Sequence, residues 1–365
     1  MKITIDRKAF ADALKSANAI LPVRTPKPIL CCVHLEAIDG RLWIRATDLD
    51  IGITQAVDAV EVKEDGVAVV PAAILAQIVN GSPDATIAIE SENAQTTIVS
   101  SDGKFTLHSY PAADYPAQSV DANDADFHVE AGPFAEAINQ TVYAVATENS
   151  RYAINGVLVN QAGKALELVA TDGHRLAMST LQAQKADSKQ SSAIVPTRAM
   201  RNFARLFPNA ETVVAVQIRD GRITFSSGDV SLSSSLVEGN FPPHKDVIPK
   251  NGPIVVTANT EALSSAVKRA AVLTNEESKG VKLSFIDNRV TITSRAPEAG
   301  EATIDCDVDG PTGTVIEIGF NPFYLLDVLK TIRVEDVTIT LAAANKPGVF
   351  TVPGMTAVVM PVNLT

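Results

Sequence analysis

"ITIDRKAFADALKSANAI" at residues 3–20, "FHVEAGPFAEAINQTVYAV" at 127–145 and "IVVTANTEALSSAVKRAAVL" at 254–273 decide the fold. Each begins as a short alternating strand and changes to a helical period. Phe10, Leu14 and Ala17 are spaced like Phe134, Ile138 and Thr141, and like Leu263, Val267 and Ala270. The three starts lie about 125 residues apart, a domain-sized period.

The remainder of each unit repeats in the same order. "VAVVPAAILAQIV" at 67–79, "SAIVPTRAMRNFARLF" at 192–207 and "IEIGFNPFYLLDVLKTI" at 316–332 each read as a strand followed by a helix. Proline sits at or near the first helical turn, where its missing N–H costs nothing. "RLWIRATDLDIGIT" at 41–54 matches "ALELVATDGHRLAMS" at 165–179 and, more loosely, "RVTITSRAPEAGEATI" at 289–304. "IDGR", "SDGK" and "RDGR" (38–41, 101–104 and 219–222) mark hairpin turns. The expectation is an α+β chain of three similar domains, each of about eight strands and two short helices. Antiparallel sheets are expected outside and paired helices on one face, with boundaries giving domains 1–121, 122–250 and 251–365.

Composition narrows the function. A chain of 365 residues with 46% hydrophobic and 20% charged residues forms globular domains. No apolar run reaches membrane-spanning length and the first residues alternate, so a cytoplasmic protein without membrane association is expected. Cys31, Cys32 and Cys306 have neither disulfide nor metal spacing and are expected to be buried thiols. His34, His108, His128, His174 and His244 are scattered singly, and no nucleophile elbow, P-loop or metal-binding helix motif is present. No metal, cofactor or catalytic residue is expected.

Thr171-Asp172 recurs in the first unit as Thr47-Asp48, so it belongs to the turn. Gly173-His174-Arg175 occurs in the second unit alone, which points to function. Two alternatives stay open on residues alone: proton transfer by His174 and Asp172, and a structural repeat protein without a nucleic-acid partner.

"RTPKPIL" (24–30), "TENSRYAINGVL" (147–158), "VATDGHRLA" (169–177), "EGNFPPHKDVIPK" (238–250), "AAVLTNEESKGVKL" (270–283), "IGFNPFYLLDVL" (318–329) and "VVMPVNLT" (358–365) together resemble the bacterial DNA sliding clamps, the beta subunits of DNA polymerase III holoenzyme. The resemblance runs the whole chain in order. It implies a head-to-tail homodimeric ring around duplex DNA, helices lining the hole, and no enzymatic activity. The implied role is a processivity factor, and the implied partners are double-stranded DNA without sequence preference, a second copy of the chain, the replicative polymerase, the clamp loader, and other polymerases and repair proteins.

The resemblance also assigns residues. Arg7, Lys15, Arg24, Asn149, Arg198, Arg201, Arg205, Lys268, Arg269 and Lys330 would meet DNA. Lys104 and Phe105 would meet Val272 and Leu273 of the second copy, with Glu298 and Glu301 facing basic partners such as Lys104. A peptide pocket would be walled by Ile154, Thr171, Gly173, His174, Arg175, Leu176, Pro242, Val247, Val358, Val359, Met360, Pro361 and Val362. Arg151, Asn321 and Tyr324 would line an adjoining groove. The chain departs from the family pattern at Ala72 and Ala73, Glu148, Ala153, Asp246 and Asn363.

The net charge of −11 resists nucleic acid on average. The six helical segments, with Arg7, Lys8, Lys15, Arg198, Arg201, Arg205, Lys268, Arg269, Lys330 and Arg333 against Asp12, Glu136, Glu261 and Asp327, instead carry about +6 and leave about −17 elsewhere. On the resemblance, basic helices face phosphates and acidic sheets face outward.

Overall fold

The computed structural model describes residues 1–116, 124–147, 153–186, 190–249, 252–274, 280–310, 313 and 315–364. Six α-helices occur among them: α1 (Arg7–Asn18), α2 (Ala72–Gly81), α3 (Ala131–Thr141), α4 (Thr197–Leu206), α5 (Thr260–Ala270) and α6 (Pro322–Thr331). They are the two helices expected of each repeat.

The first helix of each repeat forms for the reason its spacing suggests. In α1, Phe10, Ala13, Leu14 and Ala17 are buried on one stripe, and the Asp6 carboxylate accepts the Ala9 N–H at 2.8 Å as N-cap. In α5, Leu263, Ala266, Val267 and Ala270 are buried and Asn259 caps the Ala262 N–H at 3.0 Å. In α3 the last core position is Thr141, fully buried, which donates its hydroxyl back to the Ala137 carbonyl at 2.8 Å. That internal bond lets a polar residue take the place of an alanine.

Compactness divides the chain differently from the repeats. One unit comprises Met1–Gly132, Ala183–Ser191 and Arg198–Leu236; the other comprises Pro133–Gln182, Ser192–Thr197 and Val237–Thr365. The cause is strand pairing across repeats. In the first unit, the central-repeat strand Val230–Ser235 pairs antiparallel with Ile51–Glu64 of the first repeat, Leu232 opposite Ile53, so one sheet runs through both. In the second unit, Arg175–Gln182 pairs antiparallel with Met355–Val359 of the third repeat, Ala177 opposite Ala357.

The repeats contain eight, nine and eight strands among the described residues, the ninth being the two-residue Lys185–Ala186. Alternation buries one face of most of them. Val337, Ile339 and Leu341 of Asp336–Leu341 enter the core of the third repeat together with Leu263, Val267 and Phe320.

Two hairpins turn as their sequences indicate: Asp39-Gly40 at φ 51° and 77°, and Asp220-Gly221 at φ 50° and 72°. "SDGK" turns differently. Ser100 pairs with Gly103, so Ser101 and Asp102 make the turn and the glycine begins the next strand. The Asp84 carboxylate holds this turn from outside, accepting both the Ser101 N–H and its hydroxyl at 2.5 Å.

The cysteines are free thiols, with Cys32 and Cys306 buried and Cys31 half-buried. Burial pushes the Cys32 thiol up to about 12. Among the described residues no helix is long and apolar enough to cross a membrane, and no group of three or more His, Cys, Asp or Glu side chains could hold a metal ion.

Candidate functional site

The turn at Thr171–Arg175 is built from its own side chains. The Thr171 hydroxyl donates to the Arg175 carbonyl at 2.7 Å and accepts the Gly173 N–H at 3.1 Å. One oxygen of Asp172 accepts the N–H groups of His174 and Arg175, both at 2.9 Å. Gly173 stands at φ 89°, where a side chain is strained. The turn at Thr47–Ile51 has the same bonds: Thr47 hydroxyl to the Ile51 carbonyl at 2.9 Å, and Asp48 accepting from Asp50 and Ile51 at 3.0 and 2.8 Å. Thr-Asp therefore serves the turn in both repeats, as expected.

Pairing of Arg175–Gln182 with Met355–Val359 then brings residues 360–364 to this turn. The His174 carbonyl accepts the Met360 N–H at 2.8 Å, and the Gly319 carbonyl accepts the Val362 N–H at 2.9 Å. Between these elements opens a cleft of about 290 Å³. Of the expected walls, Ile154, Thr171, Gly173, Arg175, Leu176, Pro242, Val247, Val358 and Met360 line it, and Pro243 and His244 complete it. Its surface is mainly apolar, with few polar groups, the character of a ligand site. Two larger clefts in the same unit, of about 740 and 790 Å³, have charged walls, Asp287, Asp307, Asp309 and Asp336 in one and Glu261, Lys268, Arg333 and Glu335 in the other.

Four expected wall residues stand elsewhere. Val359 is fully buried in the core of the third repeat, because neighbours along a strand face opposite sides and Val358 takes the cleft side. The His174 ring lies outside the walls, stacked on Tyr324 with centroids 6.2 Å apart. Pro361 and Val362 lie beyond the cleft, on the segment that bonds Gly319. Asn321 caps α6, accepting the Phe323 N–H at 2.9 Å. Arg151 and Asn149 lie outside the described residues, as does Glu148.

His244 went unrecognised in the sequence, although it follows Pro242 by two residues. Burial holds its imidazole below the usual histidine range, with Lys245 acting in the same direction and Glu167 opposing. Arg175 lines the cleft with its side chain held inside the protein. Each guanidinium nitrogen already donates within the protein, to Asp172, Asp327 and the Tyr143 carbonyl. It shapes the wall, with three of its five N–H donors committed within the protein.

The three repeats match, in order, the family descriptions DNA polymerase III beta subunit, N-terminal domain at residues 1–119, central domain at 128–243, and C-terminal domain at 245–363. The chain is 34% identical over 342 residues to the "Beta sliding clamp" of Salmonella typhimurium, covering 93% of each. It is 32% identical over 368 residues to that of Pseudomonas putida, covering all of both. Among solved structures, the Pseudomonas aeruginosa sliding clamp bound to griselimycin superposes with a TM-score of 0.94 at 31% identity over the whole of both chains.

The chain belongs to the bacterial DNA sliding clamps.

Within this clamp-family chain the expected DNA-facing residues divide in two. Lys15, Arg24, Arg201, Lys268 and Lys330 are exposed and form no ion pair among the described residues. Others are engaged. Arg198 pairs with Asp48 and donates to the Ile20 carbonyl. Arg7 donates to the Asp84 carbonyl at 2.8 Å, Arg205 to Asn202 at 3.1 Å, and Arg269 to the Ser265 carbonyl at 3.4 Å. Asp327, counted among the helix charges, faces Arg175, and Arg333 pairs with Glu136 at 3.3 Å.

The expected interface residues of the clamp chain are at the surface. Phe105 is 46% exposed on Gly103–His108, a strand bonded on one side only among the described residues. Val272 is 77% exposed, beside half-buried Leu273 in a short 3-10 turn after α5. Lys104 and Glu298 are exposed, and Glu301 pairs with Arg295 at 3.1 Å. The strand Gly300–Asp309 that carries Glu301 bonds Arg289–Ala296 along its length but reaches its other neighbour only at Val308 and Asp309. Gly103–His108, at the end of its sheet, and the part of Gly300–Asp309 before Val308, inside the other sheet, thus each offer an open strand edge among the described residues.

Proposed function

We propose that two copies of this chain close head to tail into a ring around duplex DNA and act as a processivity factor for the replicative polymerase, with domains 1–121, 122–250 and 251–365. The observation that carries the reading is the pair of open edges, Gly103–His108 in the first repeat and Gly300–Asp309 in the third. An unpaired edge is a template for another strand, and a head-to-tail contact whose rotation closes yields a ring. Lys104 on one edge and Glu298 and Glu301 beside the other are complementary in charge. Phe105, Val272 and Leu273 supply the apolar contact.

Lys15, Arg24, Arg201, Lys268 and Lys330 meet phosphates, which position a duplex without reading its sequence. Arg7, Arg198, Arg205, Arg269 and Asn149 are further DNA contacts in this reading. The cleft holds short peptides of polymerases, the clamp loader and repair proteins, and takes griselimycin as well. Its apolar walls and the adaptable Met360 suit an extended segment, and Arg151, Asn321 and Tyr324 are assigned to an adjoining groove by the family resemblance. The protein acts by tethering, without catalysis, cofactor or metal, in the cytoplasm. Sedimentation of the chain, and its retention on DNA with and without ends, test the reading.

A further inference from the structure

We propose that Asp327 is a positioning residue of the cleft. Through Arg175 it fixes both the Thr171–Arg175 turn and the ring of Tyr324, and so sets the shape an occupant meets. The inference rests on the cleft being the binding site for peptides and griselimycin.

The Arg175 side chain is 12% exposed and held from three directions. Its Nε donates to Asp172 Oδ2 at 3.0 Å, one Nη to Asp327 Oδ2 at 2.6 Å, and the other Nη to the Tyr143 carbonyl at 2.8 Å. These bonds fix the guanidinium within its plane. Its carbon also lies over two rings, 4.6 Å from the centroid of Tyr324 and 5.4 Å from that of Tyr143. A planar cation with five fixed donors orients its neighbours as a flexible ammonium does not.

Asp327 follows Tyr324 by three residues on α6, so both reach Arg175 from one helical face. The carboxylate thereby joins α6 of the third repeat to the turn of the central repeat. The other carboxylate, Asp172, is already committed to the turn through its first oxygen. Without Asp327, nothing on α6 would hold the guanidinium under Tyr324 except the ring itself. The turn and Met360, bonded to the His174 carbonyl, would lose a fixed reference.

The test uses the full chain, griselimycin as probe and titration calorimetry. Asp327→Ala is expected to weaken binding about tenfold, and Asp327→Asn, which keeps an acceptor oxygen, about threefold. In an Arg175→Ala background, Asp327→Ala is expected to change affinity by less than about twofold, since the shared contact is already gone. Deletion of residues 360–365 serves as control for the cleft. If the deletion abolishes binding while both Asp327 variants bind like the parent, Asp327 does not position the cleft. Equal losses in the two Arg175 backgrounds overturn the inference too, because Asp327 would then act without Arg175. Unchanged binding by the deletion overturns the cleft reading and this inference with it. If Asp327→Ala does not fold, Asp327→Asn in both backgrounds gives the same comparison.

Discussion

Leu49 and Gly173 occupy the same position of the same turn, at φ 84° and 89°. The hydrogen bonds around them match one for one, from Thr47 and Asp48 in the first repeat and Thr171 and Asp172 in the second. The turn demands a left-handed residue, and only the second repeat supplies glycine. Leucine there carries strain of about 1–2 kcal/mol, and glycine loses about 0.5–1 kcal/mol more backbone entropy on folding. Leu49→Gly is therefore expected to stabilise the chain by roughly 0.5–1 kcal/mol, because the side chain is half exposed and gives up little burial. Gly173→Ala is expected to cost about 1 kcal/mol although an added Cβ meets nothing within 4 Å. Denaturant titrations of the two variants check both signs.

At the interface, replacing both Val272 and Leu273 by alanine is expected to leave a folded monomer. Val272 is too exposed for the change to open a cavity, so folding should survive while the contact between copies is lost. Analytical ultracentrifugation at low micromolar concentration decides it. An unchanged dimer would move the interface elsewhere.

Toward DNA, Arg201→Ala is expected to reduce the salt dependence of binding by about one unit of slope, in the way of a phosphate contact. Arg198→Ala should instead mainly lower stability, because that side chain ties Asp48 to the Ile20 carbonyl. Arg24→Ala is expected to impair loading onto DNA more than dimerisation. Affinity measured across a salt series, beside thermal melts, separates these effects. A preference for one DNA sequence would contradict the assignment.

The repeat was legible because it rests on local spacing. Phe10, Phe134 and the core stripe of α5 are read from the helical period, and Asp39-Gly40 and Asp220-Gly221 from turn chemistry. Asp102-Gly103 misled because pairing of Ser100 with Gly103 shifts the turn by one residue. Val359 illustrates a different failure. A resemblance carries over a run of neighbours, whereas a strand sends alternate residues to opposite faces, leaving Val358 in the cleft and Val359 in the core. The partner of Arg175 on α6 lies 152 residues away, a separation at which no local pattern speaks. The same distance hid the fact that Asp327 is engaged with Arg175.

Acidification should destabilise the chain in two steps. Burial holds His34 and His244 below the ordinary value of 6.5. A histidine kept neutral in the fold binds fewer protons folded than unfolded. Its contribution is full above the unfolded value and is lost as pH falls through 6.5 toward the folded value. Glu90, lowered by Lys2, and Glu317, lowered by Lys282, add stability that is lost only below 4.5. His34→Gln is expected to shrink the difference in denaturation midpoint between pH 7.5 and pH 5.5, which are conditions set about 1 unit either side of 6.5. An unaltered difference would assign that step to another group.

Encirclement is tested most directly by the topology of the DNA. The chain, loaded by a clamp loader onto a nicked circular plasmid and passed through a sizing column at a salt concentration that removes simple phosphate binding, is expected to remain with the plasmid. Cutting the plasmid once should release it, because a ring slides off an end while its contacts with phosphate stay the same. Equal retention on circular and linearised plasmid would contradict the ring.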